Sequence, residues 1–335
     1  MKDAYAKAGV DIAAKNISNR LVGEVLNKTF RQEVVGGAGF FGGMYEFKGY
    51  KNPVLVSSTD SVGTKTKIAI ALGRYDTVGI DIVNHCVNDI FTSGAAPIFF
   101  LDYIGIGKLV PEKVATIVEG LANACAEVGC VLIGGETAEL ADVYSGDDYD
   151  LAGFVVGAIE KDRIIDGSSI KSGDAVLGLP SNGLHTNGYS LARKILGDTR
   201  QALNKSYDEL GGTVGKALLE PHICYYNQIK PLLGYIKGMA HITGGGLIDN
   251  VPRTLPDGLA VRFDSKKWDV PPIFSLIQRL GNVDRDEMYH VYNMGVGMVI
   301  ICAPEDVKSI TGQLPEIKII GEVQKQSGEA RIIID

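Results

Sequence analysis

Residues 53–67 read PVLVSSTDSVGTKTK, and the interpretation of this stretch decides the architecture. The apolar run Val54-Leu55-Val56 predicts a core strand that ends in Ser57, Ser58, Thr59 and Asp60. A small turn, Ser61-Val62-Gly63, follows, then the short donors Thr64, Lys65, Thr66 and Lys67, then a helix over Ile68 to Leu72. A carboxylate at a strand end suits a hard cation, which takes oxygen ligands. Hydroxyls, an ammonium group and backbone N–H groups at a helix start suit phosphate. An ordinary strand-turn-helix with a capping Asp gives the same pattern, so the rest of the chain must decide.

A second stretch repeats the design. Cys130 to Glu139 reads CVLIGGETAE, a short core strand that ends in glycines, then an acid, then Thr137. Between the two lies TVGIDIVNHCVNDIFTSGAA, residues 77–96. Its Ile80, Val83, Val87, Ile90 and Phe91 form a helical stripe, with Asn84, Asn88 and Asp89 on or near another face. Polar groups inside an apolar helix are costly without partners, which marks Asp89 as a site candidate. Asp60, Asp89 and Glu136 are thus three carboxylates for one metal cluster. A buried strand over Pro97 to Ile104 carries a further acid, Asp102, and Pro111 to Glu127 reads as an amphipathic helix.

Composition removes several classes of function. The chain has 335 residues, 45% of them hydrophobic and 22% charged, which predicts a globular protein of about two domains. The net charge of −7 argues against nucleic acid as a partner. No apolar run approaches the roughly 18–20 residues that span a membrane, and the first residues lack a signal core, so the expected location is cytoplasmic. Five dispersed cysteines without a C-x-x-C pair fit a reducing compartment, and five dispersed histidines show no zinc spacing. Residues 37–42, GAGFFG, fit the dinucleotide fingerprint literally, but they run into the strand-like Met44 to Lys48 and not into a helix. They read as a connection between two strands. P-loop, nucleophile-elbow and kinase motifs are absent.

Near Arg163 the pattern restarts, which divides the chain into domains 1–162 and 163–335. A strand over Asp174 to Leu179 leads into the polar loop Pro180 to Ser190. Loops at a strand-to-helix switch often bind ligands, and His185, between Asn182, Thr186 and Asn187, is the candidate proton carrier. Thr243-Gly244-Gly245-Gly246 offers a second turn with N–H donors for an anion. Asp284 to His290 reads as a polar segment, and strands over 293–300, 317–323 and 330–334 complete an α/β series.

These motifs, taken together and in order, resemble the aminoimidazole ribonucleotide synthetases, the phosphoribosylformylglycinamidine cyclo-ligases. The resemblance rests on Ala8-Gly9-Val10-Asp11, Thr59-Asp60 with Val62-Gly63-Thr64-Lys65, Asp89 with Gly94-Ala95-Ala96-Pro97, and Gly134 to Glu139. It continues through His185 to Leu191, Thr243 to Gly246 and Asn293 to Met298. It implies two α/β domains. The first is a mixed sheet that pairs with a second copy into a barrel-like sheet, with ATP in a groove nearby; the second is a sheet flanked by helices. The implied reaction forms a C–N bond: ATP and Mg²⁺ close formylglycinamidine ribonucleotide to aminoimidazole ribonucleotide in purine biosynthesis. The resemblance places the cation on Asp60, Asp89 and Glu136. It places the nucleotide also on Gly63, Thr64, Lys65, Gly135, Thr137 and Asn187, and the substrate on His185, Thr186, Asn187 and Gly244 to Gly246, with Lys65, Asp60 and His185 catalytic. Selenophosphate synthetases, thiamin-monophosphate kinases, the hydrogenase-maturation dehydratases and non-catalytic nucleotide-binding proteins are the alternatives. Two departures stand out. Ser61 takes the place of a glycine, at a cost of about 1 kcal/mol if that position needs a positive φ. Tyr5-Ala6-Lys7 also shifts a lysine by one position, which bears on a contact from Lys7 to the nucleotide.

Overall fold

Among the described residues, hydrogen-bonded pairing gathers the strands into a four-stranded and a six-stranded sheet, each in its own unit, and two small two-stranded ribbons. The protein is described by a computed structural model covering residues 12–37 and 41–335. Expectations on Tyr5, Lys7, Ala8 to Asp11 and Ala38 to Phe40 lie outside the described residues. The first unit runs to Ile90 and resumes over Ala96–Glu160; the second holds Phe91–Ala95 and Lys161–Asp335.

The first unit contains α1 (Ile12–Leu26), β1 (Pro53–Ser61), α2 (Lys65–Leu72), α3 (Val78–Phe91), β2 (Ala96–Ile106), α4 (Pro111–Glu127), β3 (Val131–Glu139) and β4 (Tyr149–Glu160). Their sheet order is β1-β4-β2-β3, antiparallel except for the parallel pair β2/β3. The short strands Val34–Val35 and Met44–Tyr45 pair antiparallel, as a connection between strands requires. Side chains alternate across a strand, so register fixes two faces. On one face, Gly153 leaves room for Phe100 and Ile82 of α3, which a Cβ would meet at 2.3 and 2.8 Å. Helices α3 and α4 approach so closely that a Cβ on Gly79 would lie 2.2 Å from the Ile117 carbonyl. The other face carries Leu55, Phe154 and Tyr103, which are 63%, 38% and 39% exposed.

The opening stretch differs from its expected form in two respects. β1 is an edge strand with alternating exposure, not a core strand, because only the face of Val54 and Val56 meets helices. Ser61 continues β1 opposite Ala152 and is not among the described residues with positive φ; Gly63, at φ 60°, makes the turn. The expected strain at Ser61 is therefore absent.

The second unit contains β5 (Ala175–Pro180), α5 (Tyr189–Leu196), α6 (Val214–Leu219), β6 (Ile236–His241), α7 (Gly246–Asn250), β7 (Leu259–Phe263), α8 (Pro272–Gly281), α9 (Arg285–Val291), β8 (Val296–Cys302), β9 (Lys318–Lys325) and β10 (Ile332–Ile334). The sheet order is β6-β8-β5-β9-β7-β10, with β7/β10 the parallel pair. Every residue of β8 is buried, which explains its nearly unbroken apolar sequence. Asp284 to His290, expected as a polar segment, is largely helix α9. Its Met288 and Tyr289 are buried while acids fill the first turn, a favourable place for negative charge.

Candidate active site

The strand and helix periods together build a charged rail in the first unit. Ser58 and Asp60 share the helix-facing side of β1, while Asp81, His85 and Asp89 recur every four residues along α3. The two rows meet. His85 Nε2 lies 2.9 Å from Asp60 Oδ2 and 3.8 Å from Asp89 Oδ2. The Ser58 hydroxyl donates to Asp89 Oδ2 at 3.0 Å, and the Ser61 N–H donates to Asp60 Oδ1 at 2.7 Å. Burial lowers the His85 pKa, but the Asp60 hydrogen bond and the charges of Asp89, Asp60 and Asp81 outweigh it and hold His85 above 6.5. Burial raises Asp60, but the His85 bond and charge and the Ser61 N–H outweigh it and hold Asp60 below 3.8.

Lys65 is not placed as expected. It is fully buried and donates to Asp81 Oδ1 at 2.8 Å, so its ammonium faces the interior and not a phosphate. Its stem enters the core from the first turn of α2, where Gly63 O accepts from the Thr66 hydroxyl at 2.9 Å. Lys67, partly exposed, pairs with Asp148 at 2.7 Å. Gly63 is exposed and Thr64 half-buried at the same turn.

Glu136 does not join Asp60 and Asp89 within the chain. Register aligns Asp60 with Gly153, Asp102 and Gly135, and Ser61 with Ala152, Tyr103 and Glu136. Glu136 thus projects on the opposite face, three strand spacings away, or roughly 14 Å. Gly135 is bare because a Cβ would lie 2.2 Å from Asp102 Oδ1. The Asp102 carboxyl, folded over Gly135, is pushed up to about 7 by burial, with a further push from Glu136. Thr137 is half-buried one residue along β3.

In the second unit the structure unites what the sequence scatters. His185 and Thr186 are buried, and the His185 ring stacks on His222 with centroids 4.1 Å apart. His222 Nε2 lies 2.9 Å from His241 Nε2. Asn187 reaches the glycine turn: a Cβ on Gly244 would meet Asn187 Oδ1 at 3.1 Å. The turn itself uses donors internally, since Thr243 N donates to Asn250 Oδ1 at 2.6 Å and Gly246 N to Thr243 O at 3.1 Å. A Cβ on Gly246 would lie 2.0 Å from Tyr289 O, so packing alone requires that glycine.

Sequence reasoning missed His85, His222 and His241 as members of these clusters, and it gave the acid Asp102 no role. The four-residue spacing of Asp81, His85 and Asp89 was a signal for the first; the pairing of His222 with His241 has no local signal.

These two units are those of the AIR synthase related proteins. Residues 44–159 match the N-terminal domain of that family and 171–334 its C-terminal domain, and the chain belongs to the family. It is 50% identical over 332 residues to the phosphoribosylformylglycinamidine cyclo-ligase of Desulfitobacterium hafniense, covering 97% of each chain. It is 52% identical over 327 residues to that of Acetivibrio thermocellus, covering 95% of this chain and 96% of the relative. The fold also matches hydrogenase maturation protein HypE in complex with ATP, with a TM-score of 0.66 and 17% identity over 95% of this chain and 90% of that one. Thiamine-monophosphate kinase from Stenotrophomonas maltophilia gives a TM-score of 0.68 at 13% identity, covering 94% of this chain and 96% of that one. Among the described residues no helix is long and apolar enough to cross a membrane.

Proposed function

We infer that the chain is an ATP-using ligase that closes the imidazole ring of aminoimidazole ribonucleotide from formylglycinamidine ribonucleotide, the reaction named in its relatives, within purine biosynthesis in the cytoplasm. The observation that supports the assignment of the site is the convergence of Asp60 Oδ2 and Asp89 Oδ2 on His85 Nε2. Two carboxylates that share one imidazole form a hard-oxygen donor set, which fits Mg²⁺. Bound there, the cation would neutralise phosphate charge, the main requirement of phosphoryl transfer.

The γ-phosphoryl group passes to the formamide oxygen. The amidine nitrogen then attacks the activated carbon, the C–O bond breaks, and phosphate leaves with that oxygen. His185 accepts the proton released by the nitrogen. Thr186, Asn187 and Gly244 to Gly246 hold the substrate; Gly63, Thr64, Gly135, Glu136 and Thr137 serve the nucleotide. Lys65 takes a positioning role, because its ion pair with Asp81 anchors the turn that carries Gly63 and Thr64. The exposed face of Leu55, Phe154 and Tyr103 supports a homodimer closed through the edge strands β1 and β3. An assay with formylglycinamidine ribonucleotide, ATP and Mg²⁺ tests the function. Aminoimidazole product, ADP and phosphate should appear only when both substrates are present. Nucleotide binding without turnover would make the chain a binding protein instead.

A further inference from the structure

Three histidines widely separated in sequence make one buried cluster, and their contacts are unequal. His185 has a left-handed backbone, φ 61°, which costs a non-glycine residue about 1–2 kcal/mol. Such strain persists only where the surroundings impose it. Here the Tyr189 hydroxyl donates to the His185 carbonyl at 3.1 Å and to the Leu218 carbonyl at 2.6 Å. The ring is confined separately. His222 covers one face at 4.1 Å and 22°, and the Tyr225 ring lies at 6.4 Å. Gly297 of β8 is bare beneath both rings: a Cβ there would fall 1.9 Å from the Tyr225 hydroxyl and 2.8 Å from His185 Cε1.

His222 is fixed at both nitrogens. Nδ1 lies 3.3 Å from the Thr186 hydroxyl, and Nε2 lies 2.9 Å from His241 Nε2 at the end of β6. A hydrogen bond between two imidazole nitrogens needs one proton between them, so one of the His222 and His241 rings donates and the other accepts. The His222 ring therefore cannot spin or slide without losing two contacts, and its face is the platform for His185.

We propose that His222 is a positioning residue for the ring-closing reaction: anchored between Thr186 and His241, it sets the orientation of the His185 ring by stacking. The inference rests on the assignment of His185 as proton acceptor. It gives the platform a role that no sequence motif marks, and it ties the strand end at His241 to the substrate loop.

The test compares His222→Ala, His222→Phe and His185→Ala in the full chain. Steady-state kinetics and the ring Cε1–H resonance of His185 are the readouts. His222→Ala removes platform and anchors. It should lower kcat about 10-fold to 100-fold, the scale of a misplaced reacting group. KM for ATP should stay within about twofold, since ATP binding is not what is lost. The His185 resonance should move as the ring current of His222 disappears. His222→Phe keeps the flat face without the anchors; it should return the resonance towards the wild-type position and recover part of kcat, and thermal melting confirms that each variant is folded. Unchanged kcat in His222→Ala, while His185→Ala loses turnover, overturns this inference alone. Unchanged kcat in His185→Ala overturns the base assignment and the catalytic part of the inference with it. A folded His222→Phe as slow as His222→Ala, with the resonance unmoved in both, also overturns it.

Discussion

Asp60 and Asp89, with side chains 43% and 31% exposed, flank a buried His85, while His185, His222 and His241 are 2%, 1% and 6% exposed. The first cluster is held by charge: an imidazole raised above its ordinary pKa sits beside a carboxylate lowered below its own. The second is held by stacking and by a nitrogen-to-nitrogen hydrogen bond. Carboxylates that reach water can take a cation beside their imidazole, whereas a stacked, hydrogen-bonded cluster keeps one geometry. That difference suits a metal–phosphate site in one unit and a proton carrier in the other.

The comparison breaks most readily at Lys65. Its pair with Asp81 has no exposed surface on either side chain. Removal of one partner leaves a buried charge, which costs about 3–5 kcal/mol. Lys65→Met should therefore melt markedly lower than wild type, and Lys65→Met with Asp81→Leu should regain much of the loss. Wild-type melting of the single variant would show that the rail of α3 is not held by charge.

Asp89→Asn tests whether the exposed end of the same rail is the functional end. The variant keeps size and can still accept from Ser58, so melting should change by less than about 1 kcal/mol. If Asp89 helps to neutralise phosphate, kcat should fall about 100-fold or more, and the Mg²⁺ needed for half-maximal rate should rise. Equal Mg²⁺ titrations of variant and wild type would remove Asp89 from the cation site.

Asp102 sharpens the contrast within the first unit, because it is a carboxyl without a cationic partner among the described ion pairs. Its folded pKa, about 7, lies above the ordinary 3.8. Between those values the folded state binds the proton more tightly than the unfolded state, so stability is greatest below 3.8 and falls as pH rises towards 7. Asp102→Asn should remove this loss. Its melting should match wild type at pH 4 and exceed it at pH 8 by about 1–2 kcal/mol, less than full conversion of the shift because the residue keeps some contact with water.

The sequence made the first cluster partly legible because its residues lie at helical and strand spacing on contiguous segments. Asp60 and Asp89 were visible as acids out of place in apolar surroundings. Glu136 was equally visible, but its face depends on register, and one step along β3 from Gly135 puts it on the face away from Asp60. Lys65 looked like a phosphate ligand because a turn shows which residues are near, not which way a long side chain runs. In the second unit, the strand, loop and helix around His185 were legible from polarity and glycine. His222 and His241 were not, since they approach only after β6 and the segment before Tyr225 have folded together. The same reasoning places the exposed edge of β1 out of reach, because an apolar run reads alike whether its far side meets a core or a second copy.

The smallest effect concerns the charge on His85. A histidine with a raised folded pKa stabilises the protein fully below its unfolded pKa of 6.5 and loses that contribution as pH rises through the folded value. The His85 share of the wild-type stability loss from pH 6 to pH 9 should therefore be about 1 kcal/mol, a small amount because Asp60 is 43% exposed and its pairing is screened. His85→Gln keeps a donor for Asp60 but cannot titrate, so its melting should fall by that much less than wild type's across the range, where Asp102 titrates in both. Saturating Mg²⁺ gives the decisive arm. If the cation takes the place of the imidazolium between Asp60 and Asp89, the pH dependence of wild type should become that of the variant. A pH dependence that survives Mg²⁺ unchanged would mean that the charged cluster is as fixed as the stacked one.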